Sequence, residues 1–208
     1  MPIVSMKKGI SLAALLGTLW ICCWGCRSKE IHSPAQYAAW VEQADNGLRK
    51  EVAAGDLVYT IQYKPAAYLQ LRQGYKASDS VMGITAARFR HTAWFNIYIA
   101  GKEKNTNPLK KDVSGLDEYN QRLRYFLTEA GNNITLSYNG EPVRQVAYYF
   151  ENNYGLTPMD VMVVGFNIPD SVAVQDMDIA YVDDLFGSGI VKARITGTAL
   201  KSIPTIKY

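Results

Sequence analysis

Residues 88–100, with the sequence RFRHTAWFNIYIA, carry a strict alternation of side-chain character. One set of alternating positions is mostly apolar and consists of Phe89, His91, Ala93, Phe95, Ile97 and Ile99. The other set consists of Arg88, Arg90, Thr92, Trp94, Asn96 and Tyr98. A period of two is typical of a β-strand with one buried face. We therefore expect a long strand here, with the first set, including His91, turned to the core.

The same alternation recurs on both sides of this strand. It predicts strands over residues 57–63, 134–138, 143–151, 160–168, 177–182 and 190–195. Asn139-Gly140 is a favoured hairpin turn, and we expect Glu141-Pro142 to lengthen that loop. Because no helical pattern separates the strands after residue 133, the sequence predicts an antiparallel sheet or sandwich rather than alternating βαβ units.

Two segments show the apolar spacing of helices. Ser33 can cap a helix over residues 34–54, and Ser114 begins a second helix over residues 114–130. A shorter helix is predicted over residues 65–72. The expected fold class is therefore α+β, a mostly antiparallel β-sheet or sandwich with two prominent α-helices.

The N-terminus has a different pattern. Lys7 and Lys8 precede an apolar run over residues 9–24, and Gly25 stands directly before Cys26. This order resembles the signal peptide of bacterial lipoproteins, in which a small residue precedes the lipidated cysteine. The resemblance implies cleavage before Cys26, acylation of its thiol, and a membrane anchor in the bacterial cell envelope.

Two other cysteines compete for this role. Cys22 follows the bulky Ile21, and Cys23 would need Cys22 at the small position, so Cys26 is the preferred lipidation site. An uncleaved anchor is the alternative, although the apolar run is short for a span, which needs about 20 residues. After cleavage at Cys26 no other thiol remains, so we expect no disulfide and no cysteine metal site.

These patterns divide the chain into three parts. We expect a signal peptide over residues 1–25, a lipidated tether over residues 26–33, and one globular domain over residues 34–208. The charged Lys29-Glu30 resembles the stretch that directs some Bacteroidota lipoproteins to the cell surface. The expected location is the bacterial envelope, anchored at the outer membrane and facing the periplasm or the cell surface.

Composition and motifs argue against several functions. Basic and acidic residues number 22 and 19 and nearly balance, so nucleic acid is not an expected partner. Only two histidines occur, His32 in the tether and His91 in a strand, and neither suits a catalytic base. The sequence has no zinc-protease, phosphate-loop or dinucleotide motif. We expect no catalytic residue, cofactor or metal, and we interpret the carboxylates Asp176, Asp178, Asp183 and Asp184 as solvated strand ends and turns rather than a calcium site.

A candidate binding surface remains. Arg90, Trp94 and Tyr98 share the less apolar face of the predicted strand, and Tyr154 lies in an asparagine-rich loop. Aromatic rings with polar groups suit a surface that binds protein or sugar, but they also suit a sheet face that a helix covers. Both interpretations stay open, although we expect Trp94 to be covered.

These observations favour a lipid-anchored envelope protein that acts as a non-enzymatic accessory component through protein contacts. A lipoprotein subunit of a trans-envelope secretion machine is one form of this hypothesis, by analogy of architecture alone. A surface glycan-binding lipoprotein is the main alternative, and a carboxylate-based hydrolase is the least favoured.

Overall fold

The computed structural model describes residues 30–72, 91–103, 105–154, 156–169 and 174–206. The α-helices are α1 Pro34–Glu42, α2 Ala66–Arg72, α3 Leu116–Thr128 and α4 Gly197–Lys201. The strands are β1 Glu30–Ile31, β2 Arg49–Ala54, β3 Leu57–Lys64, β4 Thr92–Gly101, β5 Ile134–Tyr138, β6 Glu141–Val143, β7 Gln145–Glu151, β8 Met159–Asn167, β9 Met177–Asp183, β10 Gly189–Ile195 and β11 Thr205–Ile206. The predicted α+β class is confirmed.

The strands form two antiparallel sheets and one small parallel pair. The first sheet has the strand order β2-β3-β4-β8-β7, and the second has the order β10-β9-β5-β6. Strand β1 pairs in parallel with β11. Apolar residues of the two sheets join in one buried cluster, as in a sandwich, with Phe126 of α3 and Leu200 of α4 also in it.

The predicted strand over residues 88–100 is confirmed from Thr92 onward, and residues 88–90 lie outside the described residues. Its apolar face is fully buried: Phe95 packs edge-on against Tyr63 and Phe166, with ring centroids 5.5 Å and 6.4 Å away. The expectation that His91 faces the core is wrong. His91 is exposed in a turn because the ladder between β4 and β8 begins only at Thr92.

The predicted helix over residues 34–54 is also wrong in its second half. Helix α1 starts as expected, with Ser33 accepting a hydrogen bond from the Gln36 amide, but it ends at Glu42. Asn46 then donates its side-chain amide to the Trp40 carbonyl and accepts from the Leu48 amide. Gly47 follows in the left-handed region at φ 80°. These contacts turn the chain, and the remaining residues form β2.

Two smaller differences concern local ends. Asn139 and Gly140 both have positive φ, and residues 141–143 pair with β5, so the loop is a tight two-residue turn rather than a lengthened one. At the other end, Ile31 is buried and belongs to β1. The folded part therefore reaches four residues before the predicted domain start at residue 34.

Candidate binding site

The side of the first sheet that faces away from the sandwich core carries Trp94 and Tyr98, two of the candidate residues predicted from the sequence. We call this side the outer face. Its polar and aromatic members include Arg49, Glu51, Thr60, Gln62, Lys64, Trp94, Asn96, Tyr98 and Tyr149. In the ladder, Arg49 lies opposite Gln62, and Gln62 lies opposite Asn96. Residues far apart in the chain therefore meet here across three neighbouring strands.

Trp94 and Tyr98 share the outer face, as predicted, and both are half-buried. Trp94 lies directly opposite Gly165 in the ladder, and a Cβ added to Gly165 would lie 3.1 Å from the indole ring. The ring therefore packs over the backbone of β8, at a position where any side chain larger than glycine would crowd it. Arg90, the third residue predicted on this face, lies outside the described residues.

A polar cluster fastens the two N-terminal helices to the outer face. The Lys64 ammonium is almost fully buried, 2.7 Å from Glu42 Oε1 of α1 and 4.7 Å from the ring centroid of Tyr68 of α2. The Tyr68 hydroxyl donates to the same carboxylate oxygen. Burial raises the pKa of Glu42, but hydrogen bonds from Lys64, Tyr68 and Gln62 outweigh it and hold the pKa below its ordinary value. Glu42 is therefore ionised and fully engaged.

An open cleft of about 370 Å³ lies beside this cluster. Its lining residues are Glu42, Arg49, Glu51, Val58, Thr60, Gln62, Tyr98, Ala100 and Met159. Two buried polar atoms of the lining, Gln62 Oε1 and Arg49 Nε, have no hydrogen-bond partner in the described part of the chain. Since buried polar groups are nearly always paired, these two atoms distinguish the cleft from an ordinary surface depression.

A second feature is the loop between β7 and β8. Tyr154 is 72% exposed in this loop and adopts the left-handed region at φ 54°. Leu156 is 87% exposed, and Tyr149 and Met159 on the flanking strands are exposed as well. Leu156 and Met159 were not predicted from the sequence to belong to a binding surface. The available signal was an apolar residue in an otherwise polar loop.

The four aspartates near β9 are engaged separately. Asp183 is buried and accepts hydrogen bonds from the Tyr59 hydroxyl and from backbone amides, while Asp176 accepts from the Gly197 amide. Asp178 pairs with Arg194, and Asp184 accepts from Asn133. Within the described ranges no group of three or more histidine, cysteine or acidic residues could hold a metal. The interpretation of Asp183 as a solvated turn residue is therefore wrong, because its carboxylate is part of the core.

A larger cleft, of about 620 Å³, lies on the side of the second sheet that faces away from the sandwich core. Its charged side chains include Lys192, Arg194 and Asp178, and the latter two form a bidentate ion pair. None of the unpartnered buried atoms found among the described residues lines this cleft. This cleft is therefore larger than the outer-face cleft but lacks the unpaired buried polar atoms that line the outer-face cleft.

Comparisons with protein-family models, with curated proteins and with solved structures found no significant match to this chain. Among the residues that the structure describes, no helix is both long and apolar enough to cross a bilayer.

Proposed function

We propose that this protein is a lipid-anchored component of the bacterial cell envelope, held through Cys26, that acts by binding a protein partner rather than by catalysis. The observation that carries the proposal is the hairpin surface, which we define as Tyr149, Tyr154, Leu156 and Met159. Three of these are aromatic or methionine side chains, the types enriched at protein interfaces. All four are exposed and belong to one hairpin, formed by β7, its loop and the start of β8, and exposed apolar side chains grouped on one element mark interaction sites more often than scattered single ones.

The two carboxylates that line the outer-face cleft suit binding rather than hydrolysis at that site. A carboxylate-based hydrolase needs one acid that stays protonated near neutral pH. Glu42, on the rim of the outer-face cleft, has a pKa held below its ordinary value, and its neighbour Glu51 is paired with Arg49. Neither carboxylate is placed to donate a proton.

Site-specific photo-crosslinking in cells that make the protein natively tests the proposal. A photoreactive phenylalanine analogue at position 159 should give a covalent adduct with one envelope protein. The same analogue at Lys192, which is exposed on the other sheet, is the matched control and should give none. Leu156→Asp should remove the adduct at position 159 without changing the thermal midpoint, because Leu156 is almost fully exposed.

The identity of the adduct decides between forms of the proposal. A subunit of a trans-envelope secretion machine would support the narrower hypothesis, and another envelope protein would support the broader one alone. Equal labelling from positions 159 and 192, or no protein adduct from position 159, would contradict both.

A further inference from the structure

The outer-face cleft contains an unpaired donor and an unpaired acceptor side by side. Gln62 is fully buried, and its amide nitrogen donates to the Val41 carbonyl and to Glu42, while its oxygen Oε1 has no partner in the described residues. Arg49 Nε is likewise buried and unpartnered. Both atoms have almost no accessible surface, so a ligand reaches them only by displacing the side chains that cover them. The pairing that it then makes removes the cost of a buried group without a partner.

The ladder places these two side chains together. Arg49 and Gln62 are directly opposite on β2 and β3, and opposite residues have Cβ atoms about 5 Å apart. A ligand must therefore accept a hydrogen bond from Arg49 and donate one to Gln62 within a short span. A hydroxyl group does both, and so do two hydroxyls on adjacent carbons.

The charges of the cleft are balanced internally. The Arg49 guanidinium lies 3.0 Å from Glu51, and Glu42 lies 2.7 Å from the Lys64 ammonium. Both acids thus have a basic partner, so nothing in the lining calls for a charged ligand. This balance disfavours phosphates and free amines, whose charge would compete with an existing pair.

The rest of the lining supplies apolar and aromatic surface. Tyr98, Val58, Ala100 and Met159 line the cleft beside the polar pair. A sugar ring has both properties that this lining matches, hydroxyls at its rim and a C–H face that packs on an aromatic ring. The volume of about 370 Å³ falls within the range of small-ligand sites.

We propose that the outer-face cleft is a binding site for a neutral saccharide, with Arg49 and Gln62 as the residues that recognise its hydroxyls. The site adjoins the hairpin surface, because Met159 belongs to both, but recognition by Arg49 and Gln62 does not depend on the protein contact.

Saturation-transfer NMR on the full mature protein in lipid nanodiscs tests the site, because detergents with sugar headgroups would compete. The probes are neutral mono- and disaccharides of the gluco, galacto, manno and N-acetylglucosamine series. Glucose 6-phosphate, glucosamine and N-acetylglycinamide serve as anionic, cationic and amide comparisons. At least one neutral saccharide should show transfer and exceed its charged counterpart in affinity at least tenfold.

Two variants assign the binding to this cleft. Arg49→Met and Gln62→Met each remove one unpaired atom and should each weaken saccharide binding at least tenfold, whereas Lys192→Met on the other sheet should leave it unchanged. Thermal midpoints show whether each variant is folded, and Arg49→Met decides if Gln62→Met does not fold. Absence of transfer for every neutral saccharide at 20 mM, tighter binding of the amide, or full binding by a folded Arg49→Met would overturn the proposal.

Discussion

Replacing Phe95 with alanine tests the core of the sandwich most directly. Phe95 is fully buried in the middle of β4 and makes edge-on contacts with Tyr63 and Phe166. Removing a buried phenylalanine side chain costs about 3 to 5 kcal/mol, and each aromatic pair adds about 0.5 to 1.5 kcal/mol beyond buried area. Since both ring contacts are lost together, we expect Phe95→Ala to lower the free energy of unfolding by about 4 to 5 kcal/mol, near the upper end of the range for a buried phenylalanine.

The adjacent residue provides a matched comparison. Trp94 lies on the other side of the same strand, is half-buried, and packs over Gly165. Because only part of the ring is removed from water, we expect Trp94→Ala to cost about 2 kcal/mol, roughly half the value for a buried aromatic residue. The two substitutions at neighbouring positions should therefore differ by a factor of about two.

Urea unfolding followed by circular dichroism measures both changes, with the slope of free energy against urea compared between variants. Phe95→Leu should lie between wild type and Phe95→Ala, because it keeps part of the apolar volume. A loss below about 1.5 kcal/mol for Phe95→Ala would refute the sandwich core described here. A loss for Trp94→Ala equal to that of Phe95→Ala would show that the outer face is packed rather than available for binding.

Four further predictions follow from other parts of the chain. Cys26→Ser should abolish labelling by a palmitate analogue in cells, and full labelling of the variant would refute lipidation at this residue. EDTA should leave the thermal midpoint unchanged, because the aspartates near β9 are engaged with protein groups; a drop of many degrees would reveal a bound metal. Because the folded-state pKa of Glu42 is depressed, its ionised form stabilises the fold above the ordinary glutamate range, and this stability is lost as pH falls through the lower, folded pKa. The difference in unfolding free energy between wild type and Glu42→Gln should therefore shrink in acid, and a constant difference would contradict the ion pair. Gly131→Ala should cost about 1 to 3 kcal/mol, because the new Cβ would lie 2.6 Å from the Tyr148 ring. Gly115→Ala meets no atom within 4 Å and should cost at most about 1 kcal/mol by the same measurement, which is the effect of alanine at a helix N-cap.

The longer strands other than β2 were predictable, because a strict alternation of apolar and polar residues fits a strand and not a helix. In β4, every second residue from Ala93 to Ile99 is apolar, and only a strand places such residues on one side. Helix α3 was predictable for the same reason, since its apolar spacing of three and four residues does not fit a strand. Its start differs in detail: the N-cap is Gly115, which offers no side-chain cap, and Glu118 instead accepts hydrogen bonds from the amide and the hydroxyl of Ser114.

The end of α1 was not predictable from spacing. Leu48 and Val52 are four residues apart, which fits a helix, and they also lie at an even interval, which fits a strand. The structure shows that the side chain of Asn46 and the positive φ of Gly47 decide between the two. An asparagine-glycine pair inside a helical pattern was the signal that should have ended the helix.

Because α1 was predicted to continue to residue 54, the outer-face cleft could not be predicted from the sequence. With residues 49–54 assigned to a helix, Arg49 and Glu51 could not be placed opposite Gln62 and Thr60 on a sheet. Tyr98, the aromatic residue of the site, was predicted because it lies on a strand with a clear alternating pattern. Arg49 and Gln62, the polar residues, come together only through the register of β2 against β3, and a local sequence pattern does not determine that register.

The proposed lipid anchor at Cys26 would limit where binding can occur, because its connection to β1 is short. Glu30 already pairs with β11, so only the backbone from residue 26 to residue 30 separates a lipidated Cys26 from the folded domain. A fully extended chain spans at most about 3.3 to 3.6 Å per residue, or about 14 Å for four residues. The proposed anchor would therefore keep the domain close to the membrane surface, because no long flexible linker separates the two. A partner of the hairpin surface or a saccharide in the outer-face cleft would then be met at the membrane itself, which favours membrane-bound partners and envelope glycans over freely diffusing ones.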